Sequence, residues 1–474
     1  MAPEAGTQAP GDWEAVIGME VHAQLATRSK MFCRCPTDYL GAAPNTNVCE
    51  VCLGLPGVLP VVNRRAVELV VRTSLALGAD IARHSKFDRK NYFYPDLPKG
   101  YQISQYDLPL ATGGGLDVGG RPIRITRVHL EEDTGKLVHA GDALETAAES
   151  LVDLNRSGMP LMEVVSEPDL RSAEEARDYA MALRAVLRAV GASEADMEKG
   201  QMRAEANVSV RRRGADALGV KTEVKNLNSF RALQRAVGHE IERQVELLER
   251  GETVVQETRG WSEAEQRTFS QRSKEQAQDY RYFPEPDLPP LELELAWVEQ
   301  LRADLPELPA TRRARLMLEH GLTEVDAVEL TRDLDVADLF ERTVAAGAPA
   351  KPVANWIVGF QPRLAPAQLA ELVNLVVGGT INRAQGREVL EQAQESGRTP
   401  AQIVRAQGLA QVSDEQVLAG VVDEVMAANP RAVADFRAGK QQALGALMNA
   451  VKKSTGGTAN MKLAGDVLRR RLLP

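Results

Sequence analysis

Hydrophobic and polar residues follow two different periodicities along this chain of 474 residues. From residue 16 to about residue 290, apolar residues mostly alternate with polar ones, which is typical of strands that bury one face. From residue 291 onward, apolar residues recur almost throughout at helical spacing. The pattern predicts an α+β protein whose first part is built on antiparallel sheet and whose second part is helical.

Two helices are predicted within the strand-rich part. Ser172 and Glu175 form a capping-box pattern, and apolar residues then repeat at helical spacing as far as Gly191, a residue type that often ends helices. A second helix is predicted from Ser229 to just before Gly251. The expected organisation is a leader over residues 1–12, a first domain over 13–290, a helical domain over 291–404 and a small helical tail over 405–474.

The ends of the chain carry different information. The leader lacks a charged start followed by an apolar run, so no signal peptide is predicted, and no stretch is long enough to span a bilayer. A cytoplasmic protein without membrane contact is therefore expected. Residues 430–474 hold nine Lys or Arg against two acids, a net +7 in a chain of net charge -9. Such a basic tail is typical of polyanion binding, and also of a solvated helix face.

Four cysteines have the spacing of a metal site. Cys33 and Cys35 form one close pair, and Cys49 and Cys52 form another after thirteen intervening residues. The cytosol keeps thiols reduced, so two disulfides are not expected. The spacing favours a structural zinc knuckle over 33–52 in preference to four unligated thiols, although one pair is C-x-C instead of C-x-x-C.

Acidic residues and a histidine recur in strands that are otherwise apolar. Glu20 and His22 share one face of a predicted strand, and carboxylates recur in the segments 127–136 and 160–169. Carboxylates in such positions are costly unless they are paired or bind a cation. Oxygen and imidazole ligands of this kind suit magnesium or manganese, and magnesium accompanies ATP phosphates.

Other polar residues indicate the walls of a cleft. Arg203, Glu205, Asn207 and Ser209 alternate with apolar residues along a predicted strand. The segment 90–107 concentrates tyrosines, amides and two lysines, which suit a phosphate and a nucleotide base or ribose. The chain lacks the G-x-x-x-x-G-K-[ST] pattern, so the expected ATP site is not a P-loop.

Long literal motifs recur from one end of the chain to the other. They are VIGMEVH (16–22), PGVLPVVN (56–63), KFDRKNYFYP (86–95), HLEEDTGK (129–136), DLNRSG (153–158), SEPD (166–169), KNLNSF (225–230), DYRYFP (279–284) and KKSTGGTANMK (452–462). In these motifs the sequence closely resembles the B subunit of the heterotrimeric aspartyl/glutamyl-tRNA amidotransferases, the GatB family. The last motif resembles the YqeY-type domain that ends this family.

The resemblance implies both a fold and an activity. The fold is a cradle of antiparallel sheet, followed by a helical domain and a tail that reaches tRNA. The activity is ATP-dependent phosphorylation of the side-chain carboxylate of Glu on tRNA(Gln) or Asp on tRNA(Asn). Ammonia from a partner amidase, the A subunit, then displaces the phosphate, and the small C subunit completes the heterotrimer with these two.

The resemblance also implies site residues, by motif position. The expected catalytic residues and magnesium ligands are Glu20, His22, Glu132 and Glu163, although strand alternation leaves Glu131 and Glu132 as alternatives. The expected ATP-binding residues are Arg89, Lys90, Tyr92, Lys99, Glu205, Asn207 and Ser209. The expected tRNA-binding residues are Lys452, Lys453, Lys462, Arg469 and Arg470.

Two other functions are considered. One is a non-catalytic scaffold that presents aminoacyl-tRNA to an enzyme elsewhere, against which the acidic residues count. The other is a zinc hydrolase using Glu20 and His22, which the absence of an H-E-x-x-H helix disfavours. The sequence does not choose between Glu-tRNA(Gln) and Asp-tRNA(Asn) as the substrate.

Overall fold

The structure is a computed structural model that describes residues 9, 11–139, 149–273, 279–409, 415–438, 440–455 and 459–472. The expected leader lies outside these residues, apart from residues 9, 11 and 12. The chain divides into two compact units, Met1–Pro309 and Ala310–Pro474. No helix among the described residues is both long and apolar enough to cross a membrane.

The first unit contains seventeen strands and four helices among its described residues. The strands are β1 (Trp13–Gln24), β2 (Asp80–Ile81), β3 (His84–Ser85), β4 (Asp88–Asn91), β5 (Tyr101–Ser104), β6 (Ala111–Thr112), β7 (Gly115–Val118), β8 (Arg121–Glu132), β9 (Lys136–His139), β10 (Ser150–Asp153), β11 (Pro160–Ser166), β12 (Met202–Arg212), β13 (Thr222–Leu227), β14 (Glu257–Ser262), β15 (Arg267–Ser273), β16 (Phe283–Pro284) and β17 (Leu291–Glu292). The helices are α1 (Arg64–Ala76), α2 (Ala173–Ala189), α3 (Phe230–Glu249) and α4 (Leu295–Ala303).

A ten-stranded sheet forms the centre of the first unit. Its strand order is β15-β14-β13-β12-β1-β11-β8-β6-β2, and β7 also pairs with β8. The described pairs are antiparallel except for β13 with β14, which run parallel. The alternation along β1 sets the two faces of this sheet. Met19 and Val21 are fully buried in the core with α2 and α3 residues, so Glu20 and His22 face the opposite side. The predicted α+β class is confirmed.

The two helices predicted in this unit are present. The Ser172 hydroxyl caps α2 by accepting a hydrogen bond from the Glu175 backbone N–H, and the Ser229 hydroxyl caps α3 in the same way. Helix α4 lies beyond the boundary expected at residue 290. Its buried residues Val298 and Leu301 nevertheless join the core of the first unit, which extends to Pro309 for that reason.

Glu240 is a fully buried carboxylate that ties α3 to the sheet. It accepts hydrogen bonds from Thr222 at 2.7 Å, Thr268 at 3.0 Å, Gln244 at 2.8 Å and Arg243 at 2.6 Å. Burial alone would raise the pKa of Glu240, but the hydrogen bond and charge of Arg243 outweigh burial and hold this pKa below its ordinary value.

We expect Glu240→Ala to lower the free energy of unfolding by about 3–5 kcal/mol, because it leaves buried partners uncompensated. Since the folded pKa is lowered, this stabilisation is present above the unfolded pKa and is lost as the pH falls through the folded pKa. The difference in free energy of unfolding between wild type and Glu240→Ala, measured by chemical denaturation, should therefore become smaller at acidic pH. The exposed Glu246→Ala is the control and should change stability little. A difference independent of pH would contradict a role for the charge.

The second unit is helical in its described residues. Its helices are α5 (Pro309–His320), α6 (Glu324–Thr331), α7 (Leu334–Ala345), α8 (Ala350–Phe360), α9 (Pro366–Val377), α10 (Arg383–Ser396), α11 (Pro400–Gln407), α12 (Glu415–Ala428), α13 (Pro430–Arg437), α14 (Gln442–Ser454) and α15 (Met461–Leu472). One hydrophobic cluster extends from Leu316 to Val404, and a separate one extends from Leu418 to Leu472. A boundary at residue 404 would fall inside α11, and Leu409 still packs on the first of these clusters.

Candidate functional site

The polar face of the large sheet forms the floor of a cleft of about 450 Å³. Five adjacent strands, β13, β12, β1, β11 and β8, place residues two apart on this floor. The floor residues are Glu223 and Lys225, Arg203 and Glu205, Glu20 and His22, Glu163, and Arg127, His129 and Glu131. The cleft therefore combines acids, imidazoles and basic side chains on one face of the sheet.

Two histidines and two glutamates, which we call the His–Glu group, meet on this floor. Glu163 on β11 lies directly between His22 on β1 and His129 on β8. The Glu163 Oε2 atom is 3.5 Å from His22 Nε2 and 2.9 Å from His129 Nε2, and Glu131 Oε1 is 3.6 Å from His22 Nε2. His22, Glu131 and Glu163 each offer one ligand atom within 4.8 Å of the others. They can therefore hold a divalent cation and leave coordination positions for other oxygens.

Opposite charges stabilise the ionised forms within the His–Glu group. Burial opposes ionisation of Glu163, but the charge of His129 and hydrogen bonds from both histidines hold the pKa of Glu163 well below its ordinary value. The pKa of Glu131 is lowered against burial by a hydrogen bond from His129. The pKa of His129 is raised to about 9 by Glu163 and Glu131, again against burial. Both carboxylates are thus anions at neutral pH. The pKa of His22 is also raised against burial, by the hydrogen bond and charge of Glu163, so binding a cation through His22 requires the loss of its proton.

Glu20 belongs to a second cluster, which we call the acidic group. Glu20, Glu205 and Glu223 offer ligand atoms within 4.8 Å of one another. Lys225 Nζ lies 2.9 Å from Glu205 and 3.2 Å from Glu223, while the Asn207 amide donates to Glu20 at 2.8 Å. Burial, followed by the neighbouring carboxylates, raises the pKa of Glu20. The structure thus places Glu20 and His22 in one cleft but in different clusters.

Glu132 does not join the His–Glu group. Successive strand residues point to opposite faces, so Glu131 faces the cleft and Glu132 faces away. Glu132 forms a buried ion pair with Lys99 and accepts a hydrogen bond from the Ile103 backbone N–H at 3.0 Å. Glu132 and Lys99 line a separate cavity of about 220 Å³. Of the two alternatives, the structure therefore brings Glu131, and not Glu132, to His22 and Glu163.

The other residues expected at the ATP site also separate. Lys90, Tyr92 and Glu205 line the main cleft. Arg89 is not among the lining residues and makes a two-pronged ion pair with the buried Glu285, at 2.7 and 2.8 Å. Ser209 is buried and donates to a backbone carbonyl of β1 at 3.2 Å. Arg89 and Ser209 thus support the walls of the cleft without lining it.

The four cysteines come together as their spacing predicts. Cys33, Cys35, Cys49 and Cys52 offer sulfur atoms within 4.8 Å of one another. The Lys30 side chain is fully buried beside them, with its Nζ 3.8 Å from Cys52 Sγ and 2.7 Å from a backbone carbonyl. A hydrogen bond from Cys33 lowers the pKa of Cys52 to about 5. Four thiolates that share a zinc ion would carry a net negative charge, which is the partner that a buried ammonium group requires.

The basic residues of the tail lie on exposed helix surface. Lys452 and Lys453 are at the end of α14, and Lys462, Arg469 and Arg470 are on α15. Residues 456–458, within the motif at 452–462, lie outside the described part of the chain. The five side chains are therefore accessible to a polyanion.

The sequence reasoning missed several residues of the cleft. His129 was not proposed as part of the site, although it lies two residues before Glu131 in the same motif and so shares its face. Lys225 enters the sequence argument only as the first residue of the motif at 225–230. Tyr280 and Tyr282 enter the sequence argument only within a motif, and nothing in the local pattern places them beside Lys90, more than 170 residues away.

Comparison with known proteins identifies both parts of the chain. Residues 15–299 match the family model described as the GatB/GatE catalytic domain, and residues 338–472 match the one described as the GatB domain. The B subunit of the aspartyl/glutamyl-tRNA(Asn/Gln) amidotransferase of Moorella thermoacetica is 54% identical over 97% of this chain and 100% of its own length. The proteins of the same name from Carboxydothermus hydrogenoformans and Thermomicrobium roseum are 49% and 52% identical, each over 97% of this chain and 99% of their own lengths. The chain therefore belongs to the GatB family.

Proposed function

We propose that this chain is the subunit of a tRNA-dependent amidotransferase that uses ATP to activate the side-chain carboxylate of Glu on tRNA(Gln), Asp on tRNA(Asn), or both. The observation that carries this proposal is the His–Glu group on the floor of a cleft that also contains Lys90 and Lys225. Ammonia cannot directly displace an oxygen from the carbon of a free carboxylate, because the leaving group would be an oxide. The site must therefore first convert one carboxylate oxygen into part of a better leaving group.

The proposed first step is phosphoryl transfer. A carboxylate oxygen of the aminoacyl group bonds to the γ-phosphorus of ATP, the bond from that phosphorus to the bridging oxygen breaks, and ADP leaves. Magnesium held by His22, Glu131 and Glu163 would neutralise charge on the phosphate oxygens when bound. Lys90, on the facing wall, is the side chain we assign to the transferred phosphoryl group.

The proposed second step is amide formation. Ammonia attacks the carbonyl carbon of the acyl phosphate, the carbon–oxygen bond breaks, phosphate leaves, and the nitrogen loses a proton. The sequence contains no Gly- and Ser-rich amidase nucleophile segment, so ammonia must come from elsewhere. We assign that role to a partner amidase, the A subunit, assembled with the small C subunit and with misacylated tRNA as substrate. The cytoplasm is the compartment in which these components meet.

We also propose a structural zinc ion at the four cysteines. All four positions of a tetrahedral site would be filled by thiolates, so no position remains for a substrate. The ion would hold together the segment over 33–52. Its effect on chemistry is then indirect, through the stability of the fold.

The function is tested on the assembled heterotrimer, which is incubated with each misacylated tRNA, ATP and either glutamine or ammonium. We expect ATP-dependent appearance of Gln on tRNA(Gln), of Asn on tRNA(Asn), or of both, when the amino acid recovered from the tRNA is identified. Amidation that proceeds without ATP hydrolysis would overturn carboxylate activation. A complex that only binds tRNA would instead favour a scaffold.

The tail provides a separate prediction about tRNA binding. A chain truncated after Leu409 keeps α11 whole and loses the last hydrophobic cluster with its basic surface. We expect it to bind tRNA more weakly. The plot of log binding constant against log salt concentration should also be less steep, by about one unit of slope for each lost phosphate contact. Lys452→Ala with Lys453→Ala should give part of this loss in the full-length chain. Unchanged affinity and salt slope in the truncated chain would show that tRNA binds elsewhere.

A further inference from the structure

The wall of the main cleft carries an unusual share of the chain's tyrosines. The chain contains eight tyrosines, and four of them, Tyr92, Tyr106, Tyr280 and Tyr282, line this one cleft. Tyr92 is among the residues expected at the ATP site, but the phosphoryl-transfer steps assigned to the floor use none of these rings and give Tyr106, Tyr280 and Tyr282 no role of their own. A concentration of aromatic side chains above a charged floor therefore requires another explanation.

Two of these rings form a parallel stack at the edge of the cleft. The centroids of Tyr106 and Tyr282 are 4.3 Å apart, and their planes differ by 9°. Tyr106 is nevertheless 60% exposed, which is far more than is expected of a ring that only packs against the fold. In a parallel stack each ring covers one face of the other, so the open surface of Tyr106 includes its second face.

The stack is held in place by the backbone around it. The Tyr106 backbone N–H donates to the buried Asp88 at 3.0 Å. On the other side, Asn91 binds the carbonyls of Tyr280 at 3.2 Å and Arg281 at 2.9 Å through its side-chain amide. Arg281 has a φ of 43°, a strained conformation for a residue other than glycine. This local strain turns the chain between two tyrosines that both line the cleft.

Lys90 joins the aromatic wall to the charged floor. Its Nζ lies 4.9 Å from the Tyr280 ring centroid and 5.8 Å from that of Tyr92. The cation is thus held between aromatic rings and faces the cleft that contains Glu131 and Glu163. A ligand with a phosphate at Lys90 would extend its remaining parts along the tyrosines.

We infer that the Tyr106–Tyr282 stack is a platform for a purine base, bound against the open face of Tyr106. This inference rests on the proposed function, in which two adenosines enter the cleft: that of ATP and the one that ends the tRNA and carries the amino acid. Stacking on an aromatic ring uses only the flat face of the base, and both sources present the same face. The platform determines how that adenosine is positioned relative to the His–Glu group.

The test uses Tyr106→Ala and Tyr106→Phe in the assembled heterotrimer. KM is measured for ATP at saturating misacylated tRNA, and for misacylated tRNA at saturating ATP. One stacked base contributes about 1–3 kcal/mol, so Tyr106→Ala should raise one of the two KM values by roughly 5- to 150-fold. The value that rises identifies which adenosine is bound. Tyr106→Phe keeps the ring and should stay within about twofold of wild type.

The controls separate this inference from the proposed function. Phe93 is 86% exposed but does not line the cleft, so Phe93→Ala should leave both KM values unchanged. If Tyr106→Ala leaves both KM values unchanged while wild type is active, the platform is refuted and the proposed function survives. If Tyr106→Phe is as impaired as Tyr106→Ala, the hydroxyl and not the ring face is responsible, which also refutes the platform. If wild type shows no ATP-dependent amidation, the proposed function itself has failed.

Discussion

Replacing Glu131 by Gln should lower the rate of ATP-dependent amidation by at least about 10–100-fold, both with glutamine and with ammonium as the nitrogen donor. The substitution nearly conserves volume but removes one of the two carboxylate charges that face His22. Loss of even an indirect partner of a metal ligand reduces metal affinity or activity by about 10–100-fold, so loss of a ligand should cost at least as much. The defect with ammonium is decisive, because that donor bypasses delivery of ammonia from the partner amidase.

The measurement is the initial rate of amidation as a function of magnesium concentration. If Glu131 binds the metal, raising magnesium should restore part of the activity of Glu131→Gln. Substrate binding should change little, because the tail supplies tRNA affinity in the proposed arrangement. Wild-type rates at every magnesium concentration would make Glu131 an ordinary cleft residue and would favour the scaffold function.

Glu132→Gln is the matched control, since it changes the adjacent residue in the same way. Glu132 faces away from the His–Glu group and forms a buried ion pair with Lys99. Removing its charge leaves that lysine uncompensated, so the expected loss is about 3–5 kcal/mol of unfolding free energy. The magnesium concentration that Glu132→Gln requires for amidation should be the same as for wild type. The reverse result, in which only Glu132→Gln requires more magnesium, would restore Glu132 as the ligand.

The two glutamates show where prediction from the sequence stops. Alternation along β1 places Glu20 and His22 on the polar face, because their apolar neighbours identify the other face as core. Around Glu131 and Glu132 both faces of β8 are buried, so alternation provides no sign of which face is the cleft. The family motif contains both residues, and the choice depends on the register of β8 with β11.

Groups assembled from distant segments could not be predicted for a different reason. Glu20 and His22 belong to different clusters because β12 and β13 bring Glu205 and Glu223 beside Glu20. No local pattern encodes this pairing. The tyrosine stack joins residues 106 and 282, and the buried charge of Lys30 becomes visible only when the cysteine segment folds over it. The close spacing within each cysteine pair, in contrast, allowed the four thiols to be grouped from the sequence.

Removing the zinc ion should strongly lower the thermal stability of the first unit. Protein prepared without chelators should contain about one zinc ion per chain, as measured by elemental analysis. Binding energy at a structural site is also folding energy, so a chelator should lower the thermal stability of the first unit, and Cys52→Ser should do the same. Since the site has no position for a substrate, the amidation rate of chains that stay folded should change much less. Zinc-free protein of unchanged stability would refute the site.

Lys30 makes the charge of this site testable. Lys30→Met keeps a long apolar side chain but removes the buried ammonium group beside Cys52. With zinc bound, that group faces a cluster of net negative charge, so its loss should weaken zinc binding and destabilise the zinc-loaded chain. Without zinc, the raised pKa values of Cys33 and Cys35 keep these two thiols protonated, while Cys52, with a pKa of about 5, remains a thiolate beside Lys30. The ammonium group then faces less negative charge, so the same substitution should destabilise the chain less than it does with zinc bound. A double-mutant cycle of Lys30→Met and Cys52→Ser, followed by chemical denaturation with and without zinc, measures the coupling. Equal effects of Lys30→Met in both states would show that this lysine contributes packing alone and that its charge does not respond to a metal-bound thiolate cluster.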